Sequence, residues 1–99
     1  MKKYLYKYYI EENSDSFYNG KIILPINSKI ISVISSGFSL LVYAFVDPSE
    51  TEEKTFDILI SPTGRSFTTE EIERLNKECN FMGTFTTKDN LVWHVWIKK

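Results

Sequence analysis

The chain is poor in the residues that build metal sites and covalent frameworks. Its 99 residues include one cysteine, Cys79, and one histidine, His94. A single cysteine excludes an internal disulfide and suits a reducing compartment. One Cys and one His also fall short of the four ligands that a zinc site takes from one chain. We therefore expect no metal and no cofactor.

A charge excess and long apolar runs are also missing. Twelve basic and thirteen acidic residues give a net charge of -1, which argues against broad binding to nucleic acid because that mode needs a basic stripe. No apolar run approaches the ~20 residues that span a bilayer, and polar residues interrupt any leader-like region at the N-terminus. The sequence predicts one soluble cytoplasmic domain over residues 1–99, without membrane contact.

Aromatic residues are abundant, with six Tyr, seven Phe and two Trp, and a small β-rich core explains most of them. Alternating apolar and polar residues predict six or seven strands, at 4–11, 21–24, 30–35, 40–46, 54–61, 81–87 and 91–98. The turn at 35–37 predicts an antiparallel hairpin. Pro48 and Pro62 mark strand ends. The first strand is mixed enough in character to lie near a sheet edge.

A single helix is expected between Thr68 and Cys79. Thr68 and Glu71 have the spacing of a capping box, which predicts a helix from Thr69 to Lys77 or Glu78. Its apolar stripe is narrow and consists of Ile72, Leu75 and Cys79. The predicted fold is therefore α+β: a curved, mainly antiparallel sheet of six or seven strands with one short helix.

The strand from Leu40 to Val46 is apolar at even and at odd positions, so both of its faces need cover. One short helix covers only one patch of one sheet face. Either the sheet curls into a half-barrel or two-layer sandwich, or subunits share their apolar faces. We favour curling combined with homo-oligomerisation.

The loop at 61–66, Ser-Pro-Thr-Gly-Arg-Ser, is the first candidate for chemistry. Its backbone amides and the Arg65 guanidinium suit a phosphate or a carboxylate, although Pro-x-Gly is also ordinary turn chemistry.

The strand at 92–96 is the second candidate. Alternation puts His94 and Trp96 on one face, where the indole could stack on a base or pack against a subunit and the imidazole could donate to a phosphate. A hydrogen-bonded structural histidine is the competing interpretation. The sequence has no nucleophile elbow, and its carboxylates cluster in a loop and on the helix surface, so we expect no enzyme.

The order of these segments resembles a family of small tailed-phage and prophage accessory proteins. The family pattern runs from an aromatic, Lys-bearing first strand through Leu-Pro and Trp-Ala-Leu-Val-Asp-Pro to Gly-Thr-Gly and a closing Val-Trp-His-Val-Phe. The matching segments span nearly the whole chain, at 24–25, 29–33, 43–48, 54–56, 62–64, 82–84 and 92–96. Lys54 replaces the family arginine and loses its bidentate fork. Pro62 replaces a glycine and removes an amide, while Arg65 adds a cation to the same loop.

Proteins of this kind are similar to anti-defence sponges, which sequester a host's cyclic-nucleotide or ADP-ribose-derived immune signal. The resemblance implies non-catalytic sequestration of such a small nucleotide-type ligand, at a subunit boundary of a homo-oligomer in the host cytoplasm. Cations would oppose the phosphates, hydroxyl and amide groups would donate, and an aromatic ring would stack on the base. The expected ligand-binding residues are Tyr43, Lys54, Thr63, Gly64, Arg65, His94 and Trp96. The alternative is an anti-CRISPR or other inhibitor that contacts a host defence complex.

Overall fold

The computed structural model describes residues 2–99, and within them eight strands and one helix form two antiparallel sheets. The elements are β1 (Tyr4–Tyr9), β2 (Glu11–Glu12), β3 (Gly20–Pro25), β4 (Lys29–Ser36), β5 (Ser39–Val46), β6 (Glu53–Pro62), α1 (Thr69–Glu78), β7 (Cys79–Thr86) and β8 (Val92–Lys98). The antiparallel character, the single helix and the β4–β5 hairpin are confirmed.

The strands divide between two sheets, where the sequence predicted one curved sheet. Sheet A has the order β1-β5-β4, and sheet B has the order β2-β3-β6-β8-β7. The predicted first strand, 4–11, is broken at Ile10, where the chain leaves sheet A and enters sheet B. A Cβ at position 20 would lie 2.8 Å from Ile10 Cγ2, so Gly20 permits the close approach at this crossing.

The main core lies between the two sheets, as in a two-layer sandwich. It contains the buried side chains of Ile22, Leu24, Val33, Val42, Ala44, Val46, Ile58, Val95 and Ile97. A second core lies on the other face of sheet B, where α1 and the segment 13–19 pack against it; it consists of Phe17, Tyr18, Leu59, Leu75 and Cys79. Sheet B is thus covered on one face and on part of the other.

Helix α1 begins with the predicted capping box. Thr68 Oγ1 accepts from the Glu71 N–H at 3.1 Å, and a Glu71 carboxylate oxygen accepts from the Thr68 N–H at 3.0 Å. The predicted stripe is corrected: Leu75 is buried, Ile72 is exposed, and Cys79 is the first residue of β7 because its backbone is already extended. Within residues 2–99, no helix is long and apolar enough to cross a membrane.

Strand β5 lies at the centre of sheet A. Val42, Ala44 and Val46 face the main core, so Leu41, Tyr43 and Phe45 face away from it. The register of β1 and β4 extends this outer face of sheet A, which consists of Leu5, Lys7, Tyr9, Lys29, Ser32, Ile34, Leu41, Tyr43 and Phe45. Leu41 is buried on this face, whereas Ile34, Phe45, Leu5 and Tyr9 are 39–66 % exposed. Most of the second apolar face of this strand is therefore exposed within one chain.

Candidate functional site

Five of the seven predicted site residues lie together on the outer face of sheet B, beside α1. They form, with three neighbours, what we call the sheet B patch: Thr63, Gly64, Arg65, Phe67, Phe81, Thr84, His94 and Trp96. The loop after β6 supplies the first four, and paired strands β7 and β8 supply the rest. The patch is an open surface at the end of the sheet that α1 leaves uncovered.

His94 is held between two threonine hydroxyls. Thr63 Oγ1 lies 2.8 Å from its Nε2, and Thr84 Oγ1 lies 3.0 Å from its Nδ1. A neutral imidazole has one donor and one acceptor nitrogen, and a hydroxyl serves either, so both ring nitrogens are satisfied. In the absence of a ligand, His94 therefore fits the competing interpretation, that of a hydrogen-bonded structural residue. Each hydroxyl still has hydrogen-bonding capacity for a ligand.

Arg65 lies on an aromatic surface beside a carboxylate. Its guanidinium carbon is 4.7 Å from the centroid of the Phe67 ring, and Nη2 is 3.7 Å from a Glu71 carboxylate oxygen. The side chain keeps about a third of its surface exposed, so this ion pair is worth little, of order 0–1 kcal/mol. An incoming anion competes with Glu71 for the guanidinium at modest cost.

Trp96 is the centre of the aromatic part of the sheet B patch. Its ring centroid lies 6.0 Å from that of Phe67, 5.1 Å from that of Phe81 and 6.5 Å from that of His94. Trp96 is partly buried, whereas Phe81 is 55 % exposed. Phe81 therefore offers the more accessible ring face for stacking, although sequence reasoning did not select it.

Lys54 and Tyr43, the other two predicted residues, lie elsewhere. Lys54 pairs with Leu24 at the far end of β6. Thr63 is nine steps along the chain from it, which is about 30 Å in an extended strand. Its Nζ lies 4.6 Å from the Phe56 ring centroid. Tyr43 lies on the outer face of sheet A. One chain therefore does not bring all seven predicted residues into one site.

A cavity of about 290 Å³ opens between the sheets at the end where the β4–β5 hairpin turns. Its walls combine aromatic rings and carboxylates, those of Tyr9, Phe38, Trp93, Glu11 and Glu12. Trp93 is fixed there, since its Nε1 donates to Thr87 Oγ1 at 3.1 Å. None of the seven predicted residues lines this cavity, and its carboxylates would repel a phosphate.

Comparison with known protein families gives a match over residues 1–99. The chain belongs to the family Domain of unknown function (DUF7352). No curated protein and no solved structure matches it. The DUF7352 description assigns no activity, so the functional argument rests on the geometry of the sheet B patch and of sheet A.

Among residues 2–99, no cluster of three or more His, Cys, Asp or Glu side chains is placed to hold a metal ion.

Proposed function

We propose that this DUF7352 protein binds a small phosphorylated nucleotide at the sheet B patch and sequesters it unchanged, as a phage or prophage protein that removes a host immune signal in the cytoplasm. The observation that carries the proposal is the grouping of a guanidinium, two hydroxyls with an imidazole, and exposed aromatic rings on one surface. These are the groups that a phosphate, a ribose and a base require.

Each group has a specific part in this proposal. The Arg65 guanidinium opposes a phosphate, and the Thr63 hydroxyl and the Gly64 amide donate to its oxygens. Gly64 has a φ of 98°, a conformation that other residues rarely adopt, so the loop keeps its shape only with glycine. The base stacks against Phe81 and the edge of Trp96, which lie 5.1 Å apart between ring centroids.

The surroundings of His94 support binding without turnover. A catalytic histidine is oriented by a carboxylate or a carbonyl and faces a nucleophile or a substrate proton. In the described residues, both ring nitrogens of His94 instead lie within 3.0 Å of threonine hydroxyls. We assign His94 the role of fixing the Thr63 and Thr84 hydroxyls in position for the ligand.

The proposed assembly is a homo-oligomer. Lys54 and Tyr43 can join the sheet B patch only from a second copy, since they lie on other surfaces of the same chain. The outer face of sheet A supports association independently, because it is larger and more apolar than the scattered exposed residues of a typical monomer.

The test is to incubate the protein with lysate of cells whose immune signalling has been activated, reisolate it, denature it by heat and identify the released compounds by mass spectrometry. We expect an intact phosphorylated nucleotide at an amount close to that of the protein, and much less from Arg65→Ala. Release of a cleaved nucleotide, or an empty protein, would contradict sequestration.

The alternative function, inhibition of a host defence complex by direct contact, is favoured by a different observation. The outer face of sheet A combines apolar side chains with Lys7 and Lys29 and has no carboxylate among its nine positions. Such a face fits a protein surface with an apolar centre and acidic rim. Co-purification with a defined defence complex that is lost in Phe45→Lys, together with an empty small-molecule spectrum, would select this alternative.

A further inference from the structure

Strand β1 has the longest regular free edge of the two sheets. All six of its residues pair with β5 without a register shift, and no strand among residues 2–99 pairs with its other edge. The edge strands β4 and β7 are interrupted by bulges at Ile31 and Met82, and β2 has only two residues. Bulges and short strands protect edges against pairing, and β1 has neither protection.

Apart from Lys7, the side chains of β1 are aromatic or aliphatic, and exposed side chains lie on both of its faces. The exposed fractions are 46 % for Tyr4, 51 % for Leu5, 44 % for Tyr6 and 66 % for Tyr9. Tyr4 and Tyr6 point toward the side of sheet A that faces sheet B, yet both remain almost half exposed. Sheet B therefore does not cover this edge of sheet A. Their rings already stack, with centroids 5.8 Å apart and 27° between the planes. The strand thus presents an ordered aromatic row at an unpaired edge.

We propose that β1 pairs antiparallel with β1 of a second copy, about a two-fold axis at Tyr6, and joins two copies of sheet A into one six-stranded sheet. This interface is separate from a contact that would bring Lys54 and Tyr43 of a second copy to the sheet B patch, and it does not depend on the ligand. A second copy is the occupant because the strand is complementary to itself: paired with its own sequence it places aromatic residues opposite aromatic residues.

The register follows from the faces and the single charge of β1. Tyr4, Tyr6 and Tyr8 share one face, and Leu5, Lys7 and Tyr9 share the other. Directly opposite residues of paired strands lie on the same face, so a two-fold axis must pass at a residue and not between residues. For a five-residue overlap, that residue is Tyr6 or Lys7.

The lysine decides between these two registers. An axis at Lys7 would put two like charges directly opposite each other, which destabilises a strand pair. An axis at Tyr6 places Tyr6 opposite Tyr6, Tyr4 opposite Tyr8, and Leu5 opposite Lys7. The aliphatic stem of Lys7 then packs on leucine while its ammonium reaches solvent. The sheet B patch stays outside the interface, so each dimer carries two independent patches.

A charge exchange at the axis tests the pairing. Light scattering of the wild type should give twice the 11.6 kDa of one chain. Tyr6→Lys and Tyr6→Asp should each be monomeric, because each repels its own copy, and their equimolar mixture should recover the dimer. Phe45→Lys is the matched control, since Phe45 is 40 % exposed on the same sheet but lies on the central strand. It should remain dimeric.

A cross-link tests the register without relying on dissociation. Opposite Cβ atoms of an antiparallel pair lie about 4.5–5.5 Å apart, near the span of a disulfide. Tyr6→Cys should therefore form an intermolecular disulfide on oxidation, while the native Cys79 is buried. A mixture of Leu5→Cys and Tyr9→Cys, which an axis at Lys7 would place opposite each other and which keeps Lys7, should not form a mixed disulfide. Circular dichroism of each variant checks that it is folded.

Three results would overturn the inference. The first is a wild-type mass of one chain up to the highest soluble concentration. The second is a dimer that Phe45→Lys dissociates and Tyr6→Lys does not, which means packing through the sheet face. The third is a mixed disulfide between Leu5→Cys and Tyr9→Cys and none at position 6, which means the other register. None of them depends on a nucleotide, so failure here is distinguishable from failure of the sequestration proposal.

Discussion

Sheets A and B are built from the same kind of antiparallel pairing but differ in their cover. Sheet B has sheet A on one face and α1 with the segment 13–19 on the other. Sheet A shares the main core and leaves its other face and its β1 edge exposed. The sequence of β5 already contains this difference, since it is apolar on both faces while the chain has only one helix. Both sheets share the main core. We infer that the helix-covered face of sheet B carries the proposed ligand patch, whereas the outer face and edge of sheet A are available for association.

The largest expected effect separates the two sheets by stability. Leu59 is fully buried under α1, whereas Leu5 is 51 % exposed on the outer face of sheet A. Leu59→Ala should lower the free energy of unfolding by about 2–5 kcal/mol, because it removes buried methyl groups and leaves a cavity. Leu5→Ala should change it by less than about 1 kcal/mol in the monomer. Urea unfolding measures this, with both substitutions made in the Tyr6→Lys variant so that the chain is monomeric. Equal losses in free energy of unfolding would contradict the placement of Leu59 under α1 and of Leu5 on an exposed face.

The next effect concerns ligand binding by sheet B. Arg65→Ala should weaken nucleotide retention by about one to two orders of magnitude, since a charge-assisted contact is worth roughly 1.5–3 kcal/mol. Arg74→Ala is the matched control: Arg74 also lies over an aromatic ring, 4.6 Å from the Phe17 centroid, and pairs with Glu78 at 3.5 Å. It lies outside the patch. An equal loss in both variants would mean general charge attraction and no site.

Glu71→Gln should change nucleotide retention in the opposite direction to Arg65→Ala. Glutamine preserves the capping box, since its side chain can still accept from the Thr68 N–H. It removes the carboxylate that lies 3.7 Å from Arg65. Retention of the nucleotide should therefore rise by about two- to fivefold, the worth of an exposed ion pair. Unchanged retention would mean that Arg65 does not meet the phosphate.

A smaller effect is expected at alkaline pH, from the second core of sheet B. Burial raises the pKa of Tyr18 well above its usual value, and its hydrogen bond to Cys79 Sγ, at 3.4 Å, adds to this. The unfolded chain loses the tyrosine proton near pH 10 while the folded chain keeps it. Stability should thus be complete below pH 10 and fall as pH rises further. Urea unfolding at a series of pH values measures this, and Tyr18→Phe should remove that part of the decline.

Local signals in the sequence were sufficient for several features of the fold and site. The Ser35–Gly37 turn predicted the β4–β5 hairpin, and the Thr68–Glu71 spacing predicted the start of α1. Counting outward from the turn at 88–90 also places Thr84 opposite His94, as observed. That count was a usable signal for Thr84, which sequence reasoning missed.

The same count fails for Phe81. It places Met82 opposite Trp96, but a bulge at Met82 shifts the register and brings Phe81 there. Gly83, which follows Met82 with a φ of 131°, is a local signal of such a bulge, but sequence reasoning did not use it and so missed the exposed ring of the patch. The break at Ile10 had no such signal, since strand alternation continues through it while the chain changes sheets.

The polar segment 13–19 shows a third limit. Its Asn, Ser and Asp residues are typical of a solvated loop, yet Phe17 and Tyr18 fill the second core. The Asn19 side chain also acts as a strand extension: its Nδ2 donates to the Ile60 carbonyl and its Oδ1 accepts from the Ile60 N–H, both at 2.8 Å. Such side-chain pairing with a backbone depends on tertiary position and leaves no periodic signal.

The smallest expected effect compares the two sheets at acidic pH. Asp15 Oδ1 accepts from the N–H groups of Phe17 and Tyr18 at 2.8 and 3.1 Å, and these bonds lower the pKa of Asp15. Asp47, after β5 of sheet A, has its pKa lowered by the Ser49 hydroxyl and then by the Ser49 N–H. Each lowered pKa stabilises the fold above about pH 4, and the gain is lost as pH falls through the folded value.

Asparagine at either position keeps an oxygen acceptor and removes the titration. Asp15→Asn and Asp47→Asn should therefore each flatten part of the acid dependence of unfolding between pH 5 and 2, with little change in secondary structure. The consequences should differ between sheets. Asp15 fixes the segment that covers sheet B, so acid should release that cover and raise the accessibility of the buried Cys79 thiol to a thiol reagent. Asp47 holds a turn beside no second core, so Asp47→Asn should leave thiol accessibility unchanged. In Asp15→Asn, which keeps the acceptor and does not titrate, acid should expose the thiol less than in the wild type. Equal thiol exposure in Asp15→Asn and Asp47→Asn at acidic pH would mean that Asp15 does not hold the segment 13–19 over sheet B.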